Sequence, residues 1–302
     1  MAQSSQKGKK ILVIGSSGLV GGNLLSCAAK YSSSIIPSFH SYIPDEYKTT
    51  GLQLDMSNPV SIAEGLKASE PYCVVNLSCT AVADSEKEPE NAYNVQVEGV
   101  GELARACRAL GIRLVHISTD MVYSGNKGTP YMLDDEPDPI SVYGRTKLEG
   151  EKAVQEAGGD YVIARSALVL GKGVFRKGGF LDWMVERIHK DEELPLFLDQ
   201  LRTPIVVDDL VDIIFSLAES SFCGILFAAG DEGVNRVEIG RKLLDAMGKP
   251  YEVIKPVLID SVTSSVPLQR DLRMDNSKLK EVVGRERFIS IEEYFRRLWD
   301  VG

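Results

Sequence analysis

The chain has 302 residues, with 34 Lys and Arg against 43 Asp and Glu and a formal net charge of −9. That balance argues against a nucleic-acid partner or an anionic membrane, and no apolar run has the length of a membrane-crossing helix or the core of a secretory signal. The five cysteines (27, 73, 79, 107 and 223) lack C-x-x-C spacing and read as reduced residues of a cytoplasmic protein. The three histidines (40, 116 and 189) are scattered, so no metal site is expected.

Residues 1–8 read as a disordered tail. Lys10-Ile11-Leu12-Val13-Ile14 is then a continuous apolar run too short for a helix, the pattern of a buried parallel strand. It runs into Gly15-Ser16-Ser17-Gly18-Leu19-Val20-Gly21 and a helix-like segment over 22–30. Gly-x-x-Gly-x-x-Gly in that place is a variant of the dinucleotide-binding turn. Glycine permits the sharp turn and lets backbone approach a pyrophosphate at the helix N-terminus. Gly15, Ser17, Gly18, Leu19, Val20 and Gly21 are therefore candidate cofactor contacts.

A second strand over 34–39 ends in His40-Ser41, with neither Asp nor Glu at its tip. An acidic residue there would bind the ribose 2′-hydroxyl of NAD and repel the 2′-phosphate of NADP. NADP(H) is accordingly favoured over NAD(H), although no arginine follows the strand, and His40 and Ser41 join the cofactor set. Leu54-Asp55-Met56 follows a short third strand. Asp55, with Met56 beside it, either meets the adenine amino group or caps the helix that begins near Pro59.

Cys73-Val74-Val75-Asn76-Leu77 is a further buried strand, with Leu77 and Ser78 at its carboxyl end. A helix-like stretch over 90–110 leads to the apolar run 114–117, which ends in Ser118-Thr119-Asp120. Strands alternating with helices imply an α/β fold, a Rossmann-type doubly wound parallel sheet whose ligands sit at the strands' carboxyl ends. Gly15, Leu77-Ser78 and Ser118-Thr119 all fall there.

A Gly-, Pro- and Asp-rich loop over 124–139 is long enough for a lid and equally suits a packed surface loop. Tyr143-Gly144-Arg145-Thr146-Lys147 then opens a helix, and positions i and i+4 share a face, so Tyr143 and Lys147 can enter one cleft. A phenol with a pKa of about 10 is a poor acid or base at neutral pH. An adjacent ammonium favours the phenolate, and a neighbouring hydroxyl such as Thr119 can share the proton. Such parts pass a proton to or from a carbonyl or alcohol oxygen while a cofactor moves a hydride, which makes a small-molecule carbonyl compound the expected substrate. Alone, a Tyr-x-x-x-Lys pair is equally a solvated helix face.

After a strand over 161–164, residues 171–179 are glycine-rich and basic, suited to closing over an anionic substrate or to crossing between lobes. Helices are expected over 180–189, 208–218 and 237–247, with a strand over 224–228. The chain is expected to divide into an NAD(P)-binding domain over 9–170, to whose sheet later strands can return, and a smaller, mainly substrate-binding C-terminal lobe over 171–302.

These residues resemble an extended short-chain dehydrogenase/reductase of the dTDP-4-dehydrorhamnose reductase-like branch. The resemblance spans nearly the whole chain. It rests on Gly15-x-x-Gly18-x-x-Gly21, Ser118-Thr119-Asp120-x-Val122-Tyr123-x-Gly125, Pro130-Tyr131 and Asp135-x-Pro137-x-Pro139. It continues in Val142-Tyr143-Gly144-Arg145-Thr146-Lys147-Leu148-Glu149, Arg202-Thr203-Pro204 and Met274-Asp275-x-Ser277-Lys278. It implies a catalytic triad of Thr119, Tyr143 and Lys147, with Tyr143 the acid and Lys147 also holding the nicotinamide ribose. Thr80, Asp120, Met121, Leu168, Arg202 and Arg270 become candidate substrate contacts.

Two positions depart from the branch: Leu133 stands where a Glu is common, and Leu168 where a Trp is common. They imply a more apolar substrate edge, suited less to dTDP-4-keto-rhamnose than to another keto sugar or a less polar carbonyl, unless Trp183 or Phe175 restores the flat surface. The same branch includes the regulatory β subunit of methionine adenosyltransferase. Two roles are therefore implied: a carbonyl reductase, alone or as a homodimer, or a binding subunit for a methionine adenosyltransferase catalytic subunit that keeps its dinucleotide site.

Overall fold

Short apolar strands alternate with helices through the first half of the chain, and the computed structural model describes residues 9–31 and 33–299. The expected 1–8 tail lies outside the described residues. Strands β1 (Lys10–Ile14), β2 (Ser34–Phe39), β3 (Leu52–Gln53), β4 (Cys73–Asn76), β5 (Arg113–Thr119) and β6 (Tyr161–Ser166) come first. Between them run α1 (Leu19–Cys27), α2 (Pro59–Ser69), α3 (Val82–Lys87), α4 (Pro89–Tyr93), α5 (Gly99–Leu110) and α6 (Val142–Ala157). The second half begins with β7 (Val169–Leu170), α7 (Phe180–His189), β8 (Leu194–Phe197), β9 (Leu201–Arg202), β10 (Ile205–Val206) and α8 (Val207–Glu219). It goes on through β11 (Gly224–Ala228), β12 (Val234–Asn235), α9 (Arg236–Ala246), β13 (Ile254–Val257), β14 (Asp271–Leu272), α10 (Ser277–Val283) and α11 (Ile291–Trp299).

Seven strands form one sheet in the order β11-β6-β5-β4-β1-β2-β3, every neighbouring pair parallel. The order reverses between β1 and β4, the switch point at which such sheets open a crevice outside their carboxyl ends. Strand residues alternate between two cores, which is why the strands read as unbroken apolar runs. Ile11, Val13, Val75 and Val115 face a cluster with Leu210 and Ile214 of α8. Leu12, Ile14, Val74 and Leu114 face Ile62 of α2, Leu103 of α5 and Val154 of α6. Strand β11 and helix α8 thus return to the central sheet from beyond residue 170.

A separate core gathers Leu181 and Met184 of α7, Leu194 and Leu196 of β8, Leu243 of α9 and Phe295 of α11. The stretch expected as one helix over 90–110 is α4 and α5 joined by a π-helical turn, Asn94–Glu98. The 124–139 loop is largely exposed but tied down at Tyr131 and between its two ends. Tyr131 stacks on Tyr123 at 4.1 Å between ring centroids, and Asp138 accepts the Ser124 N–H at 2.8 Å. Among the described residues no helix is long and apolar enough to cross a membrane.

Candidate active site

The turn after β1 needs glycine for two different reasons. Gly15 has φ 87°, and a Cβ there would stand 3.0–3.1 Å from the backbone of Leu77 and Ser78, across the switch point. At Gly21 a Cβ would lie 2.5 Å from the Gly15 carbonyl oxygen, so α1 could not seat against the turn. Gly18 differs: its Cβ would meet only the Gly15 carbonyl oxygen, at 3.4 Å. The fold tolerates a side chain at Gly18, and what needs the space is whatever enters the cleft.

Two adjoining cavities open over this turn and share Gly15, Gly18, Leu77 and Cys79. The outer one, of about 450 Å³, is walled by Ser17, His40, Asp55, Met56, Ser78 and Thr80, with Asn91, Val95 and Arg176 among the rest. The inner one, of about 280 Å³, is walled by Leu19, Val20, Gly21, Thr119, Tyr143 and Lys147. Ser41 is exposed just beyond the outer cavity and is not part of its wall. The helix cap weighed for Asp55 belongs instead to Asn58, whose side chain accepts the Val60 and Ser61 N–H groups. Asp55 accepts from the backbone and hydroxyl of Ser57 and lies 3.9 Å from His40 Nε2. Those bonds hold its carboxyl below its ordinary value despite partial burial.

Helix α6 starts at a Ser141 cap that accepts the Gly144 N–H at 3.0 Å. A Cβ at Gly144 would sit 2.2 Å from the Met121 carbonyl oxygen, so glycine lets the helix press against the turn after β5. One face of the helix then brings Tyr143 and Lys147 into the same cavity wall as Thr119. Burial pushes the Tyr143 phenol well above its ordinary value, Cys79 and Asp120 add to the rise, and a hydrogen bond with Thr119 opposes it. That direction keeps the phenol in its proton-bearing form, the form the acid role implied by the resemblance requires. Lys147 is buried, donates to the Ile117 carbonyl at 2.7 Å, and is held below the usual lysine range by desolvation. Beneath it, Glu151 takes Arg165 at 2.7 Å and the Ser118 hydroxyl, and Arg165 reaches the Tyr123 hydroxyl at 2.7 Å.

On the other side of Thr119 lies a second polar cluster. Asp120 is buried 3.6 Å from Arg202 Nε, and Arg236, stacked on Phe180 at 4.5 Å, bonds Gln200 at 2.9 Å. Met121 donates its N–H to Thr119 Oγ1 at 3.2 Å. Thr80 Oγ1 pairs with Ser85 at 2.7 Å. Leu168 packs into the core of the smaller lobe and Leu133 is exposed on the loop, so neither forms a wall of the two cavities. Arg270 is not drawn into the cleft: its guanidinium is taken by Asp199 and Asp260. Phe175 sits edge-on to Tyr47, and Trp183 stacks on Phe180. Sequence reasoning passed over Cys79, which follows β4, and Arg176 and Arg236, whose places depend on chain that returns from far along the sequence.

A switch-point cleft with a glycine turn at one end and Thr119, Tyr143 and Lys147 at the other defines an extended short-chain dehydrogenase/reductase. The chain belongs to the RmlD substrate binding domain family, which it matches over residues 9–294. It is 31% identical over 251 residues to the dTDP-4-dehydrorhamnose reductase of Mycolicibacterium smegmatis, covering 82% of this chain and 72% of that one. It is 27% identical over 275 residues to a probable low-salt glycan biosynthesis reductase, Agl14, of Haloferax volcanii, covering 90% and 91%. Its fold superposes with a TM-score of 0.85 on a dTDP-4-dehydrorhamnose reductase from Bacillus anthracis solved with NADP, at 23% identity over 96% of this chain and 98% of that one.

Proposed function

We propose that this protein is an NADPH-dependent reductase of a keto sugar nucleotide, using Thr119, Tyr143 and Lys147. The observation that carries the reading is their convergence on a cavity whose far wall is the Gly15–Gly21 turn. The room above Gly18, where a Cβ would meet almost nothing, fits a dinucleotide pyrophosphate. Bound in the cleft, the reduced nicotinamide would supply the hydride. Backbone N–H groups at the start of α1 would hold the pyrophosphate, and Asp55, kept ionised by Ser57, would accept from the adenine amino group. Tyr143 donates its proton to the carbonyl oxygen as that oxygen gains charge, a step suited to a phenol held in its acid form. Lys147 places positive charge behind it and would hold the nicotinamide ribose, while Thr119 fixes the phenol's direction.

The substrate class follows the relatives, which are named as reductases of a dTDP-linked keto sugar. The loss of NADPH absorbance against a panel of 4-keto sugar nucleotides and smaller ketones tests the whole reading. Saturable turnover on a keto sugar nucleotide is expected, with dTDP-4-dehydrorhamnose the first compound to try. Turnover confined to small ketones would reject the substrate class. No turnover on any carbonyl, with NADPH still bound and a methionine adenosyltransferase catalytic subunit captured, would replace catalysis by a binding role.

A further inference from the structure

We propose that Arg176 is the anchor for the 2′-phosphate of NADP(H), and so the residue that selects this cofactor over NAD(H). The inference rests on the reading that the cleft holds a nicotinamide dinucleotide, and it supplies the cation that the sequence around β2 lacks. Arg176 lines the outer cavity together with His40 at the tip of β2, opposite Ser17 and Gly18. Its guanidinium lies over the ring of Tyr42 at 4.4 Å, which fixes its plane and leaves its N–H edges free. Among the described residues it makes no ion pair and no side-chain hydrogen bond.

The arginine arrives there on a built strap, the 171–179 segment. Asp182 accepts the N–H groups of both Gly173 and Gly178, at 2.9 and 2.8 Å, and ties the segment into a closed loop. Asn23 of α1 donates to the Lys172 carbonyl at 2.9 Å. Val174 and Phe175 lie 3.1–3.2 Å from where a Cβ on Gly22 would be, and Phe175 meets Tyr47 edge-on at 5.9 Å. The strap thus leaves the smaller lobe, crosses α1 and delivers Arg176 to the corner where β2 ends. Asp55 is the one carboxylate in the cavity wall, and its Oδ1 takes the backbone and hydroxyl of Ser57 and neighbours His40. A flat, uncommitted guanidinium is the group that grips a phosphate through paired N–H donors.

Calorimetry with NADP⁺, NAD⁺, 2′,5′-ADP and 5′-ADP, on wild type and on Arg176→Ala, Arg176→Lys and Gly18→Val, tests the assignment. Arg176→Ala should weaken NADP⁺ and 2′,5′-ADP by roughly 10–100-fold while NAD⁺ and 5′-ADP bind as before, the loss usual for hydrogen bonds to a charged group. Arg176→Lys should recover part of the loss, because the charge returns without the planar fork. Gly18→Val should lose both dinucleotides, marking the cleft itself. Unchanged NADP⁺ affinity in Arg176→Ala, beside normal wild-type binding, would overturn this assignment alone. So would an equal loss of NADP⁺ and NAD⁺, which would place the arginine on the pyrophosphate or in the strap's folding. Failure of wild type to bind either dinucleotide would overturn the proposed function as well.

Discussion

Under α6, the Glu151 carboxylate receives three contacts from Arg165 and one from Ser118, and Arg165 passes on to Tyr123. Across the same turn, Asp120 approaches Arg202 at 3.6 Å and shares its surroundings with Arg236. There the Oδ2 of Asp120, the Nη1 of Arg236 and the Nε2 of Gln269 have no hydrogen-bond partner among the described residues. Both clusters are buried, but one matches a cation to an anion with good geometry, whereas the other sets Arg202 and Arg236 around Asp120, with the further anion near Arg202, Asp271, already tied to Arg273. The charges respond accordingly: Arg165 is held above its ordinary value, while burial and Arg202 bring Arg236 down to about 9. Burial raises Asp120 and lowers Arg202. A buried ion pair is tolerated in proportion to how fully its hydrogen bonds are met. The first cluster is a floor under the face of α6 that carries Tyr143 and Lys147, and the second is a strained joint between the turn after β5 and the smaller lobe.

A substitution that spares both clusters sets the scale. Tyr143→Phe removes only the phenol hydroxyl and should lower turnover by about 10²–10⁴-fold with cofactor affinity nearly unchanged, read by steady-state kinetics beside calorimetry. Wild-type turnover in that variant would separate the chemistry from the triad. The floor should be the next most sensitive part. Glu151→Ala strands the Arg165 cation in the core and should cost about 3–5 kcal/mol in denaturant unfolding.

The joint should respond in the opposite sense. Arg236→Met removes the surplus cation and keeps its bulk against Phe180, so stability should stay level or rise by roughly 1 kcal/mol or more. Comparable losses from Glu151→Ala and Arg236→Met would erase the contrast. The smallest effect is a shift along the pH axis. Lys147 sheds its proton as pH rises through a pKa below the usual lysine range, whereas Tyr143 stays protonated to beyond its ordinary value. The reduction rate should therefore hold near neutrality and fall on the alkaline side as Lys147 is neutralised. Lys147→Arg, whatever its residual rate, should carry that fall to higher pH because the guanidinium keeps its charge.

Local pattern carried much of the architecture. The runs at 10–14, 34–39 and 224–228 are strands over the expected residues, and α7 spans the expected helix Phe180–His189. The glycine turn and the i, i+4 pair on α6 were legible for the same reason, since each is written in a few consecutive residues. What stayed hidden depends on chain that returns from a distance. Arg176 reaches β2 only because its strap crosses α1, and Arg236 meets Asp120 only because α9 begins beside β9. Cys79 follows β4 in sequence, but its nearness to the Tyr143 hydroxyl depends on how α6 seats. The basic character of 171–179 was visible as well, though composition alone did not say which end of the cleft it serves.

The π-helical turn Asn94–Glu98 joins α4 to α5 where the chain is tightly confined. A Cβ at Gly99 would come within 1.9 Å of the Met56 carbonyl oxygen, and one at Gly150 within 2.2 Å of the Gln96 carbonyl oxygen. Asn91 and Val95, before and within the turn, contribute to the outer cavity, while Leu103 and Cys107 beyond it fill the core. A π turn holds one residue more than an α turn, and each helical residue advances the face by about 100°. The wide turn therefore sets the angular phase between a stretch that looks into the cleft and a stretch that looks into the sheet. Removing one residue from 94–98 would leave both helices intact and swing the Asn91 side of the wall out of the outer cavity.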